Sequence, residues 1–267
     1  MKKINTEDFK RIQLGIVSHI DDFCKKHDIK YFVCGGTLIG AIRHKGFIPW
    51  DDDIDIMMMR NDYERFINIY ASEDNSKYKI FCHRLYDKYP YPYAKISNDE
   101  TIFHEEIKDA FELGVNIDVF PIDIVPENLK LQNKMYTTSG RYIKMMTLKR
   151  LPLVRRRGFL KNTLLFISHL IFSVVTFKTI IRKLDQNASK YRNEKSSLCG
   201  VAVWGYGKRE INKLQNYDKA VYMPFENIEL PVPSGYDNYL HNVYGDYMRL
   251  PPEEKRITHH HFTAYWK

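Results

Sequence analysis

The 267-residue chain has 44% hydrophobic and 28% charged residues and a net charge of +8 at pH 7, which excludes collagen-like, low-complexity and wholly disordered classes. A chain of this length buries about three quarters of its open surface, enough for one large domain or two small ones without covalent staples. Four scattered cysteines with no CxxC pair exclude a disulfide framework and point to a reducing compartment.

The amino-terminal stretch MKKINTEDFKRIQLG has no apolar segment followed by a small-residue cleavage site, so cytoplasmic residence is expected. Residues 6–27 carry Phe9, Ile12, Ile16, Ile20 and Phe23 at helical spacing, with Glu7 and Asp8 near the positive helix end. KYFVC at 30–34 reads as a short buried strand ended by Gly35-Gly36, and TLIGAIR as a further helical turn or two. After a loop at 44–50, IDIMMM at 54–59 is a second strand, and Asn61 with Glu64 predicts a capped helix running to about Ser72. Strand-like runs recur at 78–84, 93–97 and 114–120, so residues 1–126 form an α/β (α+β) unit on a small sheet. Residues 127–199 form a basic helical region, and 200–267 a carboxy-terminal segment with a hairpin at AVYMPFENIELPVP, a helix at 236–244 capped by Ser234, and a closing loop.

The chemistry concentrates in Asp51-Asp52-Asp53-Ile54-Asp55. Alternation along a strand sends Asp51, Asp53 and Asp55 to one face and Asp52, Ile54 and Ile56 to the other. Carboxylates on one face raise one another's pKa unless a cation joins them, and at Cα spacings of about 6 to 7 Å two can share a hard divalent ion. An EF-hand loop is disfavoured because its sixth position, Ile56, cannot make the glycine turn; a metal-free acidic turn stays open. Upstream, Gly35-Gly36-Thr37 lies between a strand and a helix, where glycines let backbone N–H groups approach phosphate, although the P-loop lysine is absent. In VNIDVF, Val115, Ile117 and Val119 share one face and Asn116 and Asp118 the other, so Asp118 repeats the design of the first acidic strand. Glycines after one strand, Asp-x-Asp on the next and a third acid on a later strand resemble the nucleotidyltransferase pattern, a small mixed sheet flanked by helices, here with an added basic helical region.

The stretches CGGTLIGAIRHKGFIPWDDDID (34–55), NIDVFPID (116–123) and the closing LPVPSGYDNYLHNVYGDYMRLPPEEKRITHH resemble the LicD family, related to fukutin and fukutin-related protein. The resemblance implies a nucleotidyltransferase-type fold and transfer of a phosphoalcohol, phosphocholine above all, from a CDP-activated donor such as CDP-choline to a hydroxyl of a glycan or lipid-linked glycan. By motif position it assigns Asp53 and Asp55 as ligands of Mg²⁺ (or Mn²⁺), with Asp51 as a helper. Asp118 becomes a further ligand or the base that takes the acceptor's proton. Gly35, Gly36 and Thr37 are implied to hold donor phosphate, with Arg43, Lys95, Lys255 and Arg256 as candidate phosphate cations and His260 near the donor. A tyrosine-rich composition also offers rings to cage a quaternary ammonium, although such rings more often build core.

Two rival readings share these residues: a nucleotidyltransferase that releases pyrophosphate, and a non-catalytic protein holding anionic lipid or teichoic-type polymer on its basic surface. Residues 130–195 contain 16 Lys and Arg against only Asp185 and Glu194. Within them, LLFISHLIFSVVTF (164–177) is flanked by Arg155, Arg156, Arg157 and Lys161 before it and Lys178, Arg182 and Lys183 after it. Fourteen residues make about 21 Å of helix, short of the roughly 30 Å hydrocarbon core, which leaves a buried helix or one lying in the headgroup layer of an anionic membrane. The expected location is therefore cytoplasmic, with peripheral contact at the inner face of the plasma membrane. The basic block interleaves with an apolar helix rather than with recognition motifs, which argues against a nucleic-acid partner.

Overall fold

The computed structural model describes residues 1–73, 75–105, 111–153, 158–257 and 262–267. Helix α1 (Thr6–Lys26) follows the apolar spacing, burying Phe9, Ile12, Ile16, Val17, Ile20 and Phe23; Asn5 caps it by accepting from the Asp8 N–H at 2.7 Å. Then come β1 (Phe32–Val33), the short α2 (Gly35–Ile39) continued by a π-helical turn to His44, β2 (Asp55–Met59) and α3 (Arg60–Ser72). Strands β3 (Tyr78–Phe81), β4 (Ala94–Asn98), β5 (Thr101–Glu105) and β6 (Asn116–Val125) follow. Helices α4 (Leu129–Arg150), α5 (Phe159–Phe172) and α6 (Phe177–Ala188) make up the basic region. The chain ends with β7 (Leu198–Gly200), β8 (Asn212–Lys213), the hairpin β9 (Ala220–Phe225) and β10 (Ile228–Pro233), α7 (Tyr236–Tyr244) and β11 (Phe262–Trp266).

The central sheet runs β1-β2-β6-β4-β3, with β7 and then β8 added along the far half of β6. Only β2 and β6 pair in parallel; every other neighbour is antiparallel. The ten residues of β6 serve both halves, pairing with β2 and β4 early and with β7 at Asp123–Val125. The fold is therefore the α+β class expected, a curled mixed sheet with helices around it. Its hydrophobic core is continuous from α1 through α4 and α6 to α7.

Several local expectations needed correction. Helix α3 begins at Arg60, one residue before the expected Asn61 cap, and Met59 gives it no side-chain cap. Glu64 instead accepts from Arg60 and Arg84. Helix α7 is preceded by Gly235 rather than capped by Ser234, and Asp237 accepts from the Tyr247 hydroxyl at 2.8 Å. The strand at 114–120 runs on to Val125. Strand β11 takes the place of the expected closing loop and pairs with β5, a strand that the sequence pattern does not announce. The apolar run 164–177 is not a buried helix: Leu165 is the only residue of α5 that is buried. Residues Arg155, Arg156 and Arg157 lie outside the described residues. Among those described, no single helix is long and apolar enough to cross a membrane.

Candidate active site

Parallel pairing of β2 with β6 sets Asp55 opposite Asp118, and antiparallel pairing of β4 with β6 sets Lys95 opposite Asp118. Residues in register across neighbouring strands project from the same face, so two acids and a lysine form one row. Val115, just before β6, and Ile117 and Val119 within it are buried on the other parity, which holds the register. The Lys95 ammonium donates to Asp118 Oδ1 and, at 3.0 Å, to Asn116 Oδ1, and it lies 4.7 Å from the Tyr91 ring centre and 5.6 Å from that of Tyr93. Lys95 is only 6% exposed, so its first partner is the strand acid beside it.

The glycine turn meets this row. Gly35, at φ +58°, is a left-handed position that favours glycine, and a Cβ there would lie 3.3 Å from Asp55 Oδ2. A Cβ on Gly36 would lie 2.3 Å from Asp51 Oδ2. Thr37 Oγ1 accepts from the Asp55 N–H at 2.9 Å, and the Cys34 N–H donates to the Asp55 carbonyl at 3.0 Å, so the turn is stitched to the start of β2. Asp51, Asp52 and Asp53 precede the strand, and one carboxylate oxygen from each lies within 4.8 Å of the others. The expected alternation survives in burial, Asp52 and Ile54 being buried between half-buried Asp51, Asp53 and Asp55. It fails for the carboxylates, because the extended strand starts only at Asp55 and the preceding loop folds Asp52 back toward its neighbours. Burial raises the Asp55 pKa well above the usual carboxylate range; the charges of Asp53 and Asp118 push it further, and Lys95 opposes them. A cleft of about 540 Å³ opens beside Asp51 and Asp52, with Lys3, Lys10 and Thr263 on its other walls.

The remaining expected cations are placed differently. The Arg43 guanidinium donates to the carbonyls of Tyr247 at 2.5 Å and Arg249 at 3.5 Å, so it holds the carboxy-terminal segment against the glycine turn. Arg256 lies 5.7 Å from the Trp50 ring centre and donates to the Pro251 carbonyl at 2.8 Å, which brings the closing loop to the acidic loop. Lys255 is exposed on that loop. His260 lies outside the described residues.

Sequence spacing missed an aromatic wall. Tyr244 of α7 places its hydroxyl 3.7 Å from where a Gly35 Cβ would be, and Tyr206 packs edge-on against it at 5.2 Å. Behind them Glu210, 4% exposed, accepts from the Tyr206 N–H at 3.2 Å through Oε1, while its Oε2 is buried without a hydrogen-bond partner. Burial pushes the Glu210 pKa to about 7. A carboxyl raised in the folded state stabilises fully below its unfolded pKa and loses that contribution as pH rises through the folded value. Glu210 should therefore cost the protein about 3 kcal/mol between pH 4.5 and 7. Urea denaturation of Glu210→Gln across this window is expected to show a flatter pH profile and higher stability than wild type at pH 7.5; an unchanged profile would remove Glu210 as the cause.

Residues 28–160 match the family described as LicD/FKTN/FKRP, nucleotidyltransferase domain. Across 272 aligned positions, covering 99% of both proteins, the chain is 32% identical to the lipopolysaccharide cholinephosphotransferase LicD of Haemophilus influenzae. Over 137 residues, 51% of the chain, it is also 32% identical to an uncharacterised protein of Rickettsia typhi and 29% identical to one of Rickettsia prowazekii, covering 42% and 48% of those proteins. The matched segment contains the strand pair carrying Asp55 and Asp118, and the resemblance to the Haemophilus protein runs from end to end: the chain belongs to the LicD family.

Proposed function

We propose that this protein transfers phosphocholine from CDP-choline to a hydroxyl of a lipopolysaccharide-type glycan and releases CMP. The observation that carries the proposal is the register of Asp55 against Asp118 beside the Gly35-Gly36 turn, in a chain alignable end to end with a cholinephosphotransferase. Oxygen-only donors, a raised Asp55 pKa and mutual carboxylate proximity at 51–53 fit a hard divalent cation such as Mg²⁺. Asp53 and Asp55, with Asp51 beside them, would hold it, and when bound it would neutralise charge on the diphosphate.

The chain's own residues then supply position and proton acceptance. Gly35 and Gly36, lacking side chains, let the donor phosphates approach the backbone of the turn. The acceptor oxygen forms a bond to the phosphorus that carries choline, and the bond from that phosphorus to the bridging oxygen breaks, so CMP leaves with the bridging oxygen. The hydroxyl proton passes to Asp118, whose Oδ1 is anchored by Lys95.

Purified protein incubated with CDP-choline, Mg²⁺ and lipopolysaccharide lacking phosphocholine should release CMP and add one phosphocholine to the glycan by mass spectrometry. Pyrophosphate release from a nucleoside triphosphate without CMP from any CDP-alcohol would overturn the reading in favour of nucleotidyl transfer.

A further inference from the structure

Helix α5 is built inside out. Leu160, Leu164, Ile167 and Ile171, spaced four, three and four residues apart, are 71%, 61%, 45% and 62% exposed, and Phe159, Phe166 and Leu170 widen the same apolar surface. The side toward the protein carries Asn162, Leu165, His169 and Phe172. His169 Nε2 lies 3.0 Å from the Leu148 carbonyl, and Lys149 donates to the Phe172 carbonyl at 2.6 Å, which fastens the helix to the end of α4. Water-soluble helices place these faces the other way round, and an apolar surface of this extent marks a binding face.

The surrounding charge says what covers it. Arg141, Lys144, Lys161, Arg182 and Lys183 are exposed on α4, α5 and α6. Between residues 129 and 188 the sequence has one acid, Asp185. That acid faces inward, accepting from Arg60 at 2.8 Å and Arg84 at 3.4 Å. A second copy of the chain would bring two such cationic rims together, whereas an anionic bilayer complements both the rim and the apolar stripe. Helix α5 alone is too short to span; with the segment after it, Phe177–Tyr191, it reaches the length and apolar content of a span, but that segment turns away by 82° and buries Ile180, Ile181 and Leu184 in the core, which favours a helix lying along the surface. From these features we infer that α5 lies in the headgroup layer of a membrane rich in anionic phospholipid. The inference is independent of the transfer reaction and is read by binding alone.

The test is flotation of the full chain with vesicles of phosphatidylcholine alone or mixed with phosphatidylglycerol, at low and high salt. Wild type is expected to float with the anionic vesicles, less so at high salt, and to stay behind with the neutral ones. Because they lie on the exposed face, Ile167→Ser/Ile171→Ser should keep the wild-type melting curve and lose roughly tenfold or more in partition coefficient. Lys161→Glu/Arg182→Glu/Lys183→Glu should lose on the order of a hundredfold. Failure of wild type to float, equal binding to neutral vesicles, or unchanged binding by the serine variant would overturn the inference. So would a dimer in sedimentation equilibrium that the serine variant dissociates while neither protein binds vesicles, which would assign the stripe to a second copy.

Discussion

Asp55→Asn is expected to lower the transfer rate by on the order of a thousandfold, about 4 kcal/mol of transition-state stabilisation, while making the protein more stable to urea at pH 7.5. The two effects share one cause. Asp55 is pressed by burial and by the charges of Asp53 and Asp118, so its ionised form is costly in the folded state. Asparagine removes that cost together with the charge. The gain should disappear in acid, where wild-type Asp55 binds a proton and the two side chains become electrostatically alike. Added Mg²⁺ should raise the melting temperature of wild type and leave that of the variant nearly unchanged, because a ligand stabilises only the state that binds it. Asp118→Asn provides the contrast. It should also abolish transfer, but it strips the buried Lys95 of its carboxylate and should cost about 1–3 kcal/mol, the partial exposure of Asp118 reducing the penalty below that of a fully buried pair. An Asp55→Asn protein with wild-type CMP release, or one destabilised at neutral pH, would contradict the account of the site.

Arg60→Met is expected to cost about 3–5 kcal/mol, and a melting-temperature drop on the order of 10 °C, although Arg60 lies outside the acidic row. Its guanidinium grips Asp123 through two hydrogen bonds of 2.7 Å and reaches Asp185 on α6 at 2.8 Å. Asp123 is fully buried, and its pKa is raised because burial outweighs the opposing Arg60 charge. Removing the arginine leaves an uncompensated carboxylate in the core, so the variant should be weakest at neutral pH and recover in acid as Asp123 takes up a proton. The double change Arg60→Met/Asp123→Leu should restore most of the loss, since apolar groups of similar volume can replace a buried pair. Equilibrium unfolding of the single and double variants at pH 5 and pH 7.5 measures both effects. A single variant as stable as wild type would mean that the basic helices are held to the sheet by apolar packing alone.

Where local chemistry decides, the sequence carries the answer. Apolar spacing in α1, the parity of Val115, Ile117 and Val119, and the hairpin at 220–233 follow from side-chain periods set by the backbone. The acids on two strands and the glycine turn before them were visible for the same reason. Pairing partners and loop paths were not, because they depend on residues far along the chain. Only the sheet sets Asp55 beside Asp118 and commits Lys95 to it. Only the loop before β2 gathers Asp52 with Asp51 and Asp53. Tyr244 reaches the glycine turn from some two hundred residues away, with Tyr206 packed on it and Glu210 behind, so no local spacing could announce them. The run at 164–177 shows the same limit from the other side. Its composition permits a core helix as readily as a surface one, and the choice was made by how α4 and α6 pack together, leaving the apolar stripe of α5 facing outward.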